Sequence, residues 1–330
     1  MKKSLSAVVL LGIAASLVFV GAPAANAAPP IALPPGQTLY AIDCDAHGSQ
    51  LWSFTPDGAA TPIGTATGAV NSCGGGAQTD PTSGISYFIY YPGAGVTALA
   101  TVDVTTGVVT TIAAVNGDTT DAWQLIITNS GAAFIVDGIT LYTIDLSSAA
   151  TVALGSITPV NPGAVGYDAL TDTIYGFNNS NTMGIFTIDR TNGVATDTGL
   201  GGNWPVATCL AGGTSPGHPD GVTFDSAGFA WIQSDSCTSN IMSVDMSTGA
   251  SSMVGELHDA TATLYATAPN DFYSETFFIR SAPIVVAPPA AGPALAATGI
   301  DTAQVGMAGS IAALAALLGI ALLVRRRRAA

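Results

Sequence analysis

The sequence predicts an all-β chain folded as a single β-propeller, and three observations carry that expectation. The first is a repeat. The segments ALATVDVTTGVVTTIA (98–113), TLYTIDLSSAATVALG (140–155), GIFTIDRTNGVATDTG (184–199) and NIMSVDMSTGASSMVG (240–255) share one pattern. Each has alternating apolar residues, an Asp at its sixth position, a short polar turn and a second alternating run. A weaker copy, QLWSFTPDGAATPIG (50–64), carries Thr55 where the others carry Asp. The second observation is spacing. Asp103, Asp145, Asp189 and Asp245 stand 42, 44 and 56 residues apart, and Thr55 lies 48 before the first. Repeats of roughly 40–50 residues with four short strands each match the blades of a propeller. The third is the lack of any amphipathic helical period between Leu39 and Ala282.

Each element follows from the same pattern. Period-2 alternation broken by TTG, TNG or STG reads as a hairpin. The upstream halves GAVGYDALTDTIYGFNN (163–179) and DGVTFDSAGFAWIQSD (220–235) each add two strands around a further Asp-led turn. The repeated Asp is expected to be architectural, because a carboxylate just before a tight turn accepts backbone N–H bonds and fixes the hairpin. Blade count follows from length. Residues 39–282 give about 49 residues to each of five blades or about 41 to each of six, and five is favoured. The first unit lacks an innermost strand, which the closing stretch TATLYATAPNDFYSETFFIR (261–280) could supply to shut the ring.

Both ends read as addresses. Lys2 and Lys3 precede an apolar run to about Val20, and Ala25-Asn26-Ala27 is a small-x-small cleavage site. This is the layout of a secretory signal peptide over Met1–Ala27. A Pro-rich linker (28–38) then leads to the propeller region (39–282), and a Pro/Ala-rich linker (283–294) leaves it. At the other end Val305–Val324 holds no charge and is followed by Arg325–Arg328. Twenty residues of helix span about 30 Å, the thickness of a bilayer core, and a cationic cluster stays on the cytoplasmic side.

Just upstream stands Leu295-Ala296-Ala297-Thr298-Gly299. Pentapeptide, hydrophobic helix and arginine tail, in that order, resemble the cell-wall sorting signal of Gram-positive surface proteins. Ala296 in place of the usual Pro makes it similar to the LAxTG variant found among actinobacteria. The resemblance implies a sortase that cleaves after Thr298 and joins its carbonyl to an amine of peptidoglycan. It also implies an extracellular, wall-anchored location on a Gram-positive bacterium.

Composition narrows the partners. Within 28–298 the basic residues are Arg190 and Arg280, and the acids are the chain's 22 less Asp301, giving a charge of about −19. Such a surface repels phosphate backbones, so nucleic acid and anionic membrane are poor partners. Neutral glycans, proteins and divalent cations fit better. The same stretch holds no lysine, which excludes a lysine-linked pilus shaft and intramolecular isopeptide bonds. Four cysteines in an exported chain predict disulfides, and spacing favours Cys44–Cys73 and Cys209–Cys237.

Candidate site residues lie in the long gap between Asp189 and Asp245. The Gly/Pro-rich insertion GLGGNWPVATCLAGGTSPGHPDG (199–221) carries Trp204 and His218. An exposed Trp on a loop is a natural platform for a sugar ring, although it can equally pack over the loop's own core. The stretch HPDGVTFDSAGFAWIQSD (218–235) resembles one blade of alkaline phosphatases of the PhoX type and, more loosely, of gluconolactonase-type propellers. In the latter a matching Asp helps hold a divalent metal, which maps to Asp220. The sequence DCDAHG (43–48) starts like a calcium loop, but His47 and Phe54 occupy ligand positions where oxygen donors belong. No GxSxG elbow is present. The expected activity is therefore non-catalytic display of a binding face without a required cofactor, with a metal-dependent hydrolase as the alternative.

Overall fold

A computed structural model describes residues 32–281 apart from 46–47, 68–72, 94, 117–121, 179, 181, 209–213, 217–218, 235–239, 257 and 260–276. The expected signal peptide, the Pro/Ala-rich stretch 283–294 and the expected sorting signal lie outside the described residues.

Four four-stranded antiparallel sheets and one five-stranded sheet form five blades. Blade two comprises β4 (Cys73–Thr79), β5 (Ser86–Gly93), β6 (Val96–Val102) and β7 (Val109–Ala114). Blade three runs through β8 (Ala122–Ile127), β9 (Ala133–Asp137), β10 (Thr140–Ile144) and β11 (Thr151–Ser156). Blade four holds β12 (Pro162–Asp168), β13 (Thr173–Asn178), β14 (Thr182–Ile188) and β15 (Ala195–Asn203). Blade five holds β18 (Pro219–Phe224), β19 (Phe229–Ser234), β20 (Asn240–Asp245) and β21 (Ser251–Glu256). A small hairpin, β16 (Val206–Thr208) with β17 (Thr214–Pro216), sits between blades four and five in sequence.

Blade one is assembled from both ends of the region. β1 (Gln37–Asp45), β2 (Gly48–Phe54) and β3 (Ala59–Thr67) come first in the chain, and the two-residue β22 (His258–Asp259) adds to the β3 edge. The innermost place is taken by β23 (Phe278–Ser281), antiparallel to β1, with Gln37 opposite Ser281 and Tyr40 opposite Phe278. The closing stretch thus supplies the missing strand, as the sequence allows. In the ring, β23, β4, β8, β12 and β18 face one another around the axis.

The hydrophobic residues do not form one central core; they fill the five spaces between blades. In β5 the Phe88 and Tyr90 side chains pack towards blade one, with Ile42, Leu51 and Phe278. Ile89, one residue out of phase, packs towards blade three with Leu125, Ile127 and Ile135. Successive side chains of a strand point to opposite faces, so a blade between two neighbours needs apolar residues at both phases. That is why these strands read as apolar runs at their centres.

The repeated Asp caps its hairpin in every full copy. Asp103 Oδ1 accepts the Thr105 backbone N–H at 2.8 Å and the Thr105 hydroxyl at 2.7 Å. Asp145 takes the same two bonds from Ser147, Asp189 from Thr191 and Asp245 from Ser247. The turn needs a residue at positive φ four positions after the Asp. Gly107, Gly193 and Gly249 supply it with φ of 73°, 78° and 73°, whereas blade three uses Ala149 at 57°.

These bonds hold the carboxylates ionised. The hydroxyl and backbone donors of Thr105, Ser147 and Thr191 lower Asp103, Asp145 and Asp189 below the usual carboxylate value. Burial pushes Asp245 upward, and the Ser247 and Thr248 bonds outweigh it. Depressed folded pKa values give stability that is complete above the unfolded carboxylate value and lost as pH falls through the folded ones. Unfolding by urea should therefore become easier from about pH 4 downward. Replacing Asp103, Asp145, Asp189 and Asp245 together by Asn keeps an acceptor oxygen and should flatten that decline. An unchanged slope between about pH 4 and pH 2 would refute this account.

Candidate functional site

The five inner strands run in one direction, so the propeller has two unlike ends. At the end where they finish, every connection within a blade is a turn of four to six residues, such as 80–85, 103–108 and 225–228. At the end where they start, connections range from two residues at 138–139 to the fifteen of 204–218, which include the β16–β17 hairpin. The first is the turn face and the second the loop face.

The turn face is locked side chain by side chain. Asp80, Asp168 and Asp225 form a second, inner set of capped turns: Asp80 accepts from Thr82 N at 2.9 Å, Asp168 from Leu170 N at 2.9 Å and Asp225 from Ala227 N at 2.8 Å. The other Asp225 oxygen accepts the buried Trp231 indole N–H at 2.9 Å. In blade four Asp172 Oδ2 meets Arg190 Nη2 at 2.6 Å, and its Oδ1 accepts the Tyr167 hydroxyl at 2.6 Å. The Arg190 guanidinium, then Tyr167, bring Asp172 down to about 2. Tyr167 in turn accepts the backbone N–H of Asn129 at 3.1 Å, which ties blade three to blade four.

Along the axis, inner strands approach too closely for ordinary side chains. A Cβ on Gly75 in β4 would fall 1.8 Å from the Trp123 Cα of β8. The two strands are not paired by backbone hydrogen bonds, so Gln78 joins them: its Oε1 accepts Ile127 N at 2.8 Å and its Nε2 donates to Ile127 O at 3.1 Å. Gln124 reaches further. Its amide Nε2 donates to the backbone carbonyl of Asp220 at 3.4 Å, linking β8 to β18, which are not neighbours in the ring. The Gln124 side chain is buried. It therefore crosses the channel near its loop-face mouth.

The expected site residues have different outcomes among the described residues. Trp204 is corrected as a sugar platform: it is 2% exposed, and its indole N–H donates to the Ser180 carbonyl at 2.8 Å. Its ring packs with Phe177, Met183, Ile185 and Val222 from blades four and five. Enough apolar surface meets there to bury the indole, and one carbonyl satisfies its only polar atom. Trp204 is the anchor of the insertion. Asp220 is half-buried, the second residue of β18, at a break in register between Pro219 and Gly221. His218 lies outside the described residues. Glu256 closes β21, and among the described residues no three His, Cys, Asp or Glu side chains come together. Cys44 in β1 pairs in register with Ser49, and Cys73 opens β4 opposite Tyr90, which puts both at the loop-face ends of adjacent blades. Cys209 and Cys237 lie outside the described residues.

The residues that sequence reasoning missed are Gln78 and Gln124. A single Gln inside the apolar strand AWQLII is the signal that marks Gln124.

Comparison with known proteins shows no family for the chain. No family model matches the chain, and no curated protein does. Among solved structures it is similar to a chain of a nidogen/laminin complex, at 14% identity over 67% of this chain and 79% of that one, with a TM-score of 0.44. It is also similar to TolB from Acinetobacter baumannii, at 12% identity over 75% and 67%, with a TM-score of 0.41. Virginiamycin B lyase from Staphylococcus aureus gives 11% identity over 70% and 72%, with a TM-score of 0.36.

Proposed function

We propose that the chain is an exported surface protein which a sortase joins to peptidoglycan through Thr298, and that its propeller binds a glycan or protein ligand on the loop face without catalysis. The observation that carries the binding part is the contrast between the ends. One is a set of short, capped turns; the other gathers connections of unequal length, one held down by Trp204. Binding residues collect on variable loops supported by a rigid scaffold. The anchoring part is supported by the order of LAATG, uncharged helix and arginine tail. A hydrolase reading needs Asp220 to gather ligands from other blades, and no observation among the described residues assembles them.

The test has two arms in a sortase-bearing Gram-positive host. Wild-type chain should stay with the wall after detergent extraction and be released only by a muralytic enzyme, whereas Thr298→Ala should move to the detergent-soluble fraction. Equal partitioning of the two would end the anchoring reading. Wall-released protein is then screened against glycans and wall fragments. Replacing the 206–216 hairpin by a two-residue link should abolish any saturable binding, and replacing Thr105 and Thr106 by Ala should leave it unchanged. The reverse pattern would move the ligand to the turn face.

A further inference from the structure

Among the described residues Arg280 is a cation without a counter-charge. Arg190, the other arginine of the propeller, is committed to Asp172, whereas Arg280 makes no hydrogen bond or ion pair there. It is half-buried in β23, the innermost strand of blade one. Taking a guanidinium partly out of water without an anion costs free energy. Asp80, just after the neighbouring inner strand β4, does not supply that anion. Its carboxylate is turned into its own loop by the Thr82 N–H and the Ser83 hydroxyl.

Strand register places Arg280 beside a groove of about 420 Å³ on the turn face. Arg280 stands opposite Thr38 of β1, and cross-strand partners share a face. Phe278, two residues earlier, packs between blades one and two, so Arg280 and Thr38 take that side. Gln37 and Ser281 take the other, where the Gln37 Oε1 accepts the Ser226 N–H of blade five at 3.2 Å. Thr38 lines the groove together with Ser53, Thr55 and Thr61, and Pro34, Pro35 and Pro56 give it an apolar wall. The Ser53 hydroxyl donates to the Thr61 carbonyl at 3.5 Å and that of Thr55 to the Ala59 carbonyl at 3.2 Å, which leaves the lone pairs of both oxygens for a donor. None of the lining residues is charged. At this turn the other four blades carry a capping Asp and blade one carries Thr55. Asp57, in the same turn, lies away from the groove with its backbone against Gly255 of blade five. We propose that the groove binds a short glycan bearing an isolated carboxylate, which Arg280 receives while the serine and threonine oxygens meet sugar hydroxyls. A guanidinium fork matches a carboxylate, and a few placed polar groups on an apolar wall orient a small ligand. A long polyanion is excluded, because the chain's own excess of acid repels it. This site is separate from the loop face and stands whether or not that face binds.

The test is calorimetric titration of the full chain, extracted in detergent from a sortase-deficient host, at low ionic strength. The probes are cellobiouronate, in which one ring carries a carboxylate, its neutral counterpart cellobiose, and the peptide Ala-Pro-Ala with a free C-terminal carboxylate. Cellobiouronate should bind saturably and about tenfold or more tighter than cellobiose. Arg280→Gln, which removes the cation, and Thr55→Asp, which restores the acid of the other blades, should each weaken it by a similar factor. Both positions are at least partly exposed, and thermal unfolding confirms that each variant folds. Replacing the 206–216 hairpin by a two-residue link should leave this binding unchanged. The proposal is overturned if no probe binds saturably, if the two sugars bind equally, or if affinity survives Arg280→Gln. A preference for the peptide overturns it as well and would assign the site to a chain terminus. Loss of sugar binding with the hairpin does the same, and would place the sugar on the loop face.

Discussion

Phe278→Ala should lower the free energy of unfolding by about 3–5 kcal/mol. The side chain is 1% exposed, stacks on Tyr40 with ring centroids 5.4 Å apart, and packs among Ile42, Phe88 and Tyr90 between blades one and two. A large buried ring loses its transfer free energy and leaves a cavity that packed neighbours fill poorly. Here a second effect adds to the first. β23 is only four residues long and alone fills the innermost place of blade one, beside β1. Weakening it exposes the inner edge of β1, and an unpaired edge recruits other chains. Urea titration of the purified protein measures the loss, and light scattering reports the edge. Ser281→Ala, at an exposed position of the same strand, should change stability by less than about 0.5 kcal/mol. A loss below about 1 kcal/mol for Phe278→Ala would mean that the ring does not depend on this strand.

Gly75→Ala should be as damaging for a different reason. The added methyl would sit 1.8 Å from Trp123 Cα and 1.9 Å from its carbonyl carbon, and both are backbone atoms of an inner strand. No rotamer change relieves that contact; β4 and β8 must separate, which breaks the paired bonds of Gln78 to Ile127. The expected cost is several kcal/mol, on the order of 4, at the upper end for single substitutions. Gly84→Ala is the control. Its φ is +71°, yet a methyl there meets nothing within 4 Å, so only the conformational penalty of about 1 kcal/mol applies. If the two variants prove equally stable, the inner ring is looser than the geometry states.

Much of the architecture was legible because it rests on local rules. The Asp-led turns announce themselves at the sixth position of each repeat, and the bonds from Thr105, Ser147, Thr191 and Ser247 are the ones such a residue makes. The blade spacing and the spare strand near the end follow from counting. What was not legible depends on neighbours distant in the chain. β4 reads CGGGAQT, without alternation, because its glycines answer to the closeness of β8 and not to strand propensity. Trp204 sits in a Gly/Pro-rich stretch that looks exposed; its burial is decided by Phe177, Met183 and Val222, and by a carbonyl at Ser180. The channel-crossing Gln124 is likewise one polar letter in an apolar word. Its partner, the carbonyl of Asp220, lies 96 residues away.

The split make-up of blade one also sets a timetable. On the proposed exported route the chain emerges with its N-terminus first, so β1, β2 and β3 reach the outside long before β23 does. Until Phe278–Ser281 clears the translocation pore, four blades can complete themselves while the first waits with an open seam. On the proposed route the residues that follow are the linker and the sorting signal, so the ring shuts only as the tail arrives in the membrane. On that route closure and attachment would be consecutive steps. A chain halted in transit would be marked for proteases by the unfilled place beside β1.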